Sequence, residues 1–370
     1  MKIMSLTPWL LLFPALSVLP GAFSQQVFTD PGSRTQAIPK WHIEKVAVKR
    51  VRATSTMQLT APDLRATSWI LNAPCAPDLE EQTVTSELGV QYYAGQAEKV
   101  QEGSDLKRPV LRMEIKNEGN LFTSALTAST TYEATLFARR LVPGPPSTPP
   151  KPLSDEERKW YTGSTTTCDT NSPVFREFLK TNKIARNGDD EITFARKVQH
   201  FLRMSGKYQV ITGQDRRASA ICQAGVSDCG GFANLYVAIL RAYDIPARTL
   251  VGRIITKEHT TTDFENNHVR SEFYAQGVGW IPVETARFGG NDPDTNYFGV
   301  DSGDLLVFHV GTDLVLTTLH DKKEEFPWLQ TLCFSAAGRG TFNGKQTHER
   351  WVVETLPPPT ESIQAPRANH

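Results

Sequence analysis

The sequence has no excess of charge of either sign. Lys plus Arg and Asp plus Glu number 40 each, for a net charge of zero. A nucleic-acid binder needs a basic footprint, so that class is excluded, and no acidic block marks a solvating tail. Cysteine is sparse, with Cys75, Cys168, Cys222, Cys229 and Cys333 the only five in 370 residues. Disulfides are therefore not the main source of stability, and the odd count leaves at least one thiol free or paired between molecules. If Cys229 is the free one, the other four allow three pairings among which sequence does not choose. There is no internal repeat and no Gly-rich phosphate loop. Metal signatures fail too. "DPDTNYFGVDSGD" opens like a calcium loop at Asp292, Asp294 and Asn296, but Tyr297 and Gly303 stand where the turn glycine and bidentate glutamate belong. His259, Asp263 and His268 are too irregularly spaced for zinc. No cofactor and no metal is expected.

Long apolar runs are missing except at the N-terminus. There Lys2 precedes "PWLLLFPALSVLPGAFSQ", whose apolar core of about a dozen residues fits a signal peptide. A membrane span needs about 20 residues. Ala22-Phe23-Ser24 fits the cleavage pattern, so residues 1–24 are read as a leader and Gln25 as the first mature residue. The expectation is a secreted or periplasmic protein with no membrane span after signal removal.

What is present is ordinary globular composition, 39% hydrophobic and 22% charged. Residues 25–140 read as an all-β, sandwich-like domain. "HIEKVAVKRVRATSTMQL", "ATSWILNAP", "VQYYA", "PVLRMEIKN" and "TTYEATLFARRL" alternate as half-buried strands do. Residues 141–153 form a linker too rich in proline for helix or inner strand. From 154 the period becomes helical. "DDEITFARKVQHFLRM" carries a 3.6-residue stripe, with Asp189 or Asp190 as N-cap. Strands follow in "RTLVGRII", "HVRSEFYA", "GWIPVETA", "DLLVFHV" and "LVLTTL", so a second domain over 154–354 is α+β. Residues 355–370 are polar and Pro-rich, and are expected to be disordered.

Chemistry concentrates at "GVSDCGGFANLYVAILRAYDIPAR". Ser227 or Asp228 can cap a helix starting at Cys229, where the macrodipole favours a thiolate. Gly230 and Gly231 leave room for a substrate backbone. A packed structural cysteine is the alternative. A nucleophile needs a base. A hairpin centred on Gln276 places His268 directly across from Glu284, with Cβ atoms about 5 Å apart. The carboxylate can then fix the imidazole while its other nitrogen serves the thiol. Gln223, six residues before Cys229, is a possible oxyanion donor, with the Cys229 N–H as the alternative.

Taken together, Cys229 opening a helix that ends in "RAYDIPAR", then His268, Glu272, "VGW" and Glu284, resembles the transglutaminase core domain of the papain-like cysteine enzymes, over about residues 172 to 290. The resemblance implies a papain-like core preceded by a β-domain, with Cys229 as nucleophile, His268 as general base and acid, and Glu284 as orienting carboxylate. Glu284 stands where the family usually has Asp, Val269-Arg270 where it has Ala-Trp, and Asp244 where it has Gly. The implied activity is thioester formation from an amide or peptide carbonyl of a protein or peptide substrate. Hydrolysis is favoured over amine transfer because the layout is one β-domain and a leader. A non-catalytic binding role is the other reading.

Overall fold

The computed structural model describes residues 4–6, 41–116, 123–146, 148–255, 260–262, 266–286, 297–343 and 346–357. The leader's cleavage site, His259, Asp263, the acidic run Asp292–Asn296 and the chain from 358 lie outside them. The N-terminal part is strands: β1 (Met4–Leu6), β2 (Trp41–Thr60), β3 (Arg65–Pro74), β4 (Gln82–Val90), β5 (Glu98–Gln101), β6 (Pro109–Lys116) and β7 (Ala125–Pro143). Helices follow, interrupted by two short strands: α1 (Asp155–Thr162), α2 (Pro173–Thr181), α3 (Glu191–Ser205), β8 (Lys207–Tyr208), α4 (Ala218–Ala224), β9 (Val226–Ser227) and α5 (Cys229–Arg241). The remainder is β10 (Ala247–Ile254), β11 (Thr260–Thr262), β12 (Asn267–Ala275), β13 (Gly279–Val283), β14 (Val300–Asp301), β15 (Leu305–Val310), β16 (Leu314–Thr317), β17 (Lys323–Phe326), β18 (Cys333–Arg339) and β19 (Thr347–Leu356). The fold is α+β. None of the described helices is long and apolar enough to cross a membrane.

Two antiparallel sheets, β1-β18-β3-β6-β5 and β11-β19-β2-β7-β14 with β4 on β7, share a core. Met57, Leu59, Trp69, Leu71, Leu111 and Leu126 fill it. These come from every second residue of their strands, as one-sided burial requires. A third sheet, β13-β12-β10-β15, carries the helices. α5 lies on it, with Phe232, Leu235, Tyr236 and Ile239 packed against Phe273, Ile281 and Val283. Because α5 is apolar on all sides, it is buried all round, the others covering its outer face.

The chain is not divided as the sequence suggests. β18 pairs with β3 and β19 with β2 over its whole length, so residues 333–356 complete the N-terminal sheets instead of the region that begins at 154. Sequence periodicity identifies a strand but not its partner. β7 runs through Pro143, into the segment expected as linker. The rest of that segment lies along the β12–β13 hairpin, where the Tyr274 hydroxyl donates to the Lys151 carbonyl at 3.1 Å. In "VQYYA" only Val90 is strand, as the last residue of β4, and the rest turns away from it. β4, β5, α4, β18 and β19 were not anticipated.

Local signals hold well elsewhere. Asp190 caps α3, accepting from the Ile192 and Thr193 N–H groups at 2.9 and 3.0 Å. Asp244 takes the left-handed conformation after α5, φ 58°. All five cysteines are free thiols, four of them buried and Cys229 partly exposed.

Candidate active site

Asp228 is the N-cap of α5, and its carboxylate accepts from the Gly231 N–H at 3.3 Å. Its charge would oppose a thiolate at Cys229. Arg216 offsets it, the Nε donating to both carboxylate oxygens at 2.9 Å. Sequence gave no sign of this pair, since twelve residues separate the partners and no helical or strand spacing links them. Cys229 therefore sits at a helix start whose neighbouring anion is already neutralised.

His268 and Glu284 do come together. His268 Nε2 is 2.8 Å from Glu284 Oε2. The register differs from the expected one. Ala275 pairs with Gly279 and Ser271 with Val283, so the hairpin centres on Gly277 and Glu284 lies diagonal to His268. The three-residue turn uses glycines with positive φ at 277 and 279. Shifting the centre by one residue moves each partner by two along the opposite strand, so the side chains keep the same face. Diagonal pairs are within reach of long side chains, and glutamate's extra methylene helps span the gap.

The position beside His268 on that face is Arg270, whose Nε donates to Glu284 Oε2 at 3.2 Å. Its other nitrogens reach Asp301 at 3.1 Å and Asp304 at 2.7 Å. Asp301 also pairs with Arg139 of β7 at 3.3 Å, and Arg139 with Glu272 at 3.1 Å. Glu272 in turn holds Arg248. So Glu272, part of the motif, is buried in this charge network and does not line the site. The Ala286 N–H donates to Glu284 Oε1 at 2.9 Å.

Burial opposes an ionised Glu284, but the His268 charge and hydrogen bond, Arg270 and the Ala286 N–H outweigh it and pull its carboxyl down to about 2. Burial likewise opposes a charged His268. The Glu284 charge overcomes it, with Cys229 and the Glu284 hydrogen bond adding, and the imidazole rises to about 10. The imidazolium with its carboxylate is thus the form present at neutral pH. With Nε2 on Glu284, Nδ1 is the nitrogen left for the thiol.

The opposite wall comes from the β17–β18 connection. Trp328 packs with Cys229, Ala233, Val251 and Val269. A Cβ on Gly230 would come within 2.9 Å of the Trp328 ring, so only glycine lets the indole lie this close to the helix start. His309 pins that connection. Burial, with Arg108 adding, lowers its imidazole to about 3. The neutral ring accepts from the Leu329 N–H at 3.0 Å while Nδ1 donates to the Gly311 carbonyl at 3.0 Å. The Gln330 amide donates to the Gly252 carbonyl at 3.0 Å. Trp328 escapes sequence reading because a lone tryptophan after a proline carries no pattern.

Gln223 is exposed on α4, and no hydrogen bond joins it to Cys229. No cluster of metal-ligating side chains occurs among the described residues.

Residues 180–285 match the model of the transglutaminase-like superfamily. Over this stretch the chain is similar to that superfamily. No curated protein matches the chain by sequence. Among solved structures, a candidate cysteine protease from Cytophaga hutchinsonii is 13% identical, covers 85% of this chain and 93% of its own, and superposes with a TM-score of 0.51. The periplasmic domain of TgpA from Pseudomonas aeruginosa is 9% identical over 65% of this chain and 92% of its own, with a TM-score of 0.35. At such identities the first likeness is one of fold. The transglutaminase-like match ends at 285, so Trp328 and the acids of 301–304 lie beyond it.

Proposed function

We propose that the protein is a secreted or periplasmic thiol enzyme acting on an amide or peptide carbonyl of a protein or peptide substrate, with Cys229, His268 and Glu284 as its catalytic residues. One observation carries the reading: Glu284 holds His268 at 2.8 Å in the charged form, on the side of the sheet that faces the start of the Cys229 helix. The Cys229 thiolate adds to the carbonyl carbon. The tetrahedral adduct collapses as imidazolium gives its proton to the departing amine, leaving a thioester. The neutral imidazole then takes a proton from water, whose oxygen attacks the thioester. The acid product leaves, and thiolate and imidazolium are restored. Hydrolysis is the favoured second step, since Cys229 is partly open to solvent. A lysine amine in place of water would give a cross-link by the same first step.

The test is alkylation with iodoacetamide at pH 6, read by mass spectrometry. The expected result is selective labelling of Cys229, lost in His268→Ala, because the other four thiols are buried. An unlabelled Cys229, or labelling indifferent to His268→Ala, overturns the reading. Casein incubated with and without a dansylated amine separates the second steps: fragments mean hydrolysis, and fluorescent casein means transfer.

A further inference from the structure

Tetrahedral addition at Cys229 creates an oxyanion, and one donor is at hand. The Cys229 N–H occupies the first helical position, where it has no partner within the helix. A second donor is normally required for strong stabilisation. Gln223 of α4 makes no hydrogen bond to Cys229.

The chain supplies another group by way of β8. β8 runs parallel to β9, with Lys207 opposite Val226 and Tyr208 opposite Ser227, two residues before the nucleophile. The Lys207 N–H donates to the Gly225 carbonyl at 3.1 Å and the Gln209 N–H to the Ser227 carbonyl at 2.8 Å, so the backbone is fixed on both sides of Tyr208. Ser227 is itself fully buried and donates to Gln214 Oε1 at 2.9 Å. Tyr208 is 44% exposed, which leaves room for a substrate carbonyl beside it. Its side chain lies close enough to that of Cys229 for the two to interact electrostatically.

We infer that Tyr208 is a further catalytic residue, whose hydroxyl donates to the oxyanion formed when Cys229 adds to a carbonyl. This rests on the thiol-enzyme reading above. As the sulfur forms its bond to carbon, negative charge moves from sulfur to the carbonyl oxygen. A hydroxyl beside the sulfur needs little movement to follow that charge, since the two atoms share one carbon. Burial, with the charges of Cys229, Asp228 and Glu284 adding, pushes the phenol up to about 12. The proton therefore stays on Tyr208 throughout. The tyrosine gives a hydrogen bond, while His268 handles the proton that leaves with the amine.

The experiment compares two reactions of the same thiol in Tyr208→Phe and the wild type. p-Nitrophenyl acetate acylates through an oxyanion, whereas iodoacetamide alkylates without one. The acylation rate constant is expected to fall about 10²–10³-fold. The pH-independent alkylation rate should stay within about threefold, because sulfur reactivity follows thiolate character and access. Equal falls in both rates would assign Tyr208 to the thiolate alone and overturn the proposal, as would undiminished acylation. A wild-type protein that p-nitrophenyl acetate fails to acylate at Cys229 would overturn the enzyme reading as well, before any variant is made.

Discussion

Glu284 shows what a single longer carboxylate does. His268 gains a raised value from it, and Glu284 a lowered one from His268 and Arg270. The signs define a window. Stabilisation from His268 is complete below its ordinary 6.5 and lost as pH rises through about 10. That from Glu284 is complete above its ordinary 4.5 and lost as pH falls through about 2. Replacing Glu284 by Gln removes the anion that keeps the imidazole charged. Casein hydrolysis by the wild type should decline only as pH approaches 10. In Glu284→Gln the decline should begin near the ordinary 6.5, with a loss of about 10-fold at pH 7.5 as the imidazolium is lost. Initial rates across pH 5–10 check this, and an unmoved alkaline limb would refute it. The sequence singles out Cys229, His268 and Glu284 because each has a type and setting that the proposed chemistry demands. Arg216 and Trp328 were hidden because no helical or strand period links them to Asp228 and Cys229, and Arg270 because Asp301 and Asp304 lie beyond the hairpin.

At the scale of the element, local rules governed local outcomes. Ser154 and Glu157 form a capping box at α1, Asp190 caps α3, and Asp228 caps α5. Removing the α3 cap by Asp190→Ala should cost about 1 kcal/mol, since two N–H groups of the first turn lose their acceptor. Urea unfolding would measure it, with Cys229 alkylation unchanged because α3 carries no site residue. The β12–β13 hairpin was legible as a hairpin but not in its register. A turn centred on Gln276 and one centred on Gly277 preserve the same alternation of faces, so the apolar pattern cannot separate them. The choice falls to glycine at 277 and 279, which accept the positive φ of a three-residue turn.

In the whole molecule the N-terminal sheets and the helix-bearing sheet are not separable pieces. Val51, Tyr132, Leu136 and Trp351 of the former share a core with Ile255, Leu306 and Phe308 of the latter. The Gln82 amide donates to the Val307 carbonyl and accepts from its N–H, both at 2.8 Å, completing the edge of β15 as a strand would. Arg139 carries charge from β7 to Asp301 and thence to Arg270 beside Glu284. Deleting residues 347–370 removes β19 and with it Trp351 and Val353. A buried tryptophan alone is worth about 3–5 kcal/mol, against a total stability of about 5–15 kcal/mol. The truncated chain should fail to give soluble, cooperatively unfolding protein. A soluble product with the wild-type thermal midpoint would show the strand to be dispensable.

The sequence by itself determined the helix that opens at Cys229, its cap, the strand bearing His268 and the face that Glu284 shares with it, because those depend on local spacing and on backbone propensities. Only the tertiary structure decided that the last strands return to β2 and β3, that Arg216 and Arg270 neutralise the acids at the site, and that Tyr208 and Trp328 meet Cys229. The returning strands and the contacts of Trp328 join residues that no helical or strand period links, and the arginines are placed by which charges must find partners once water is gone.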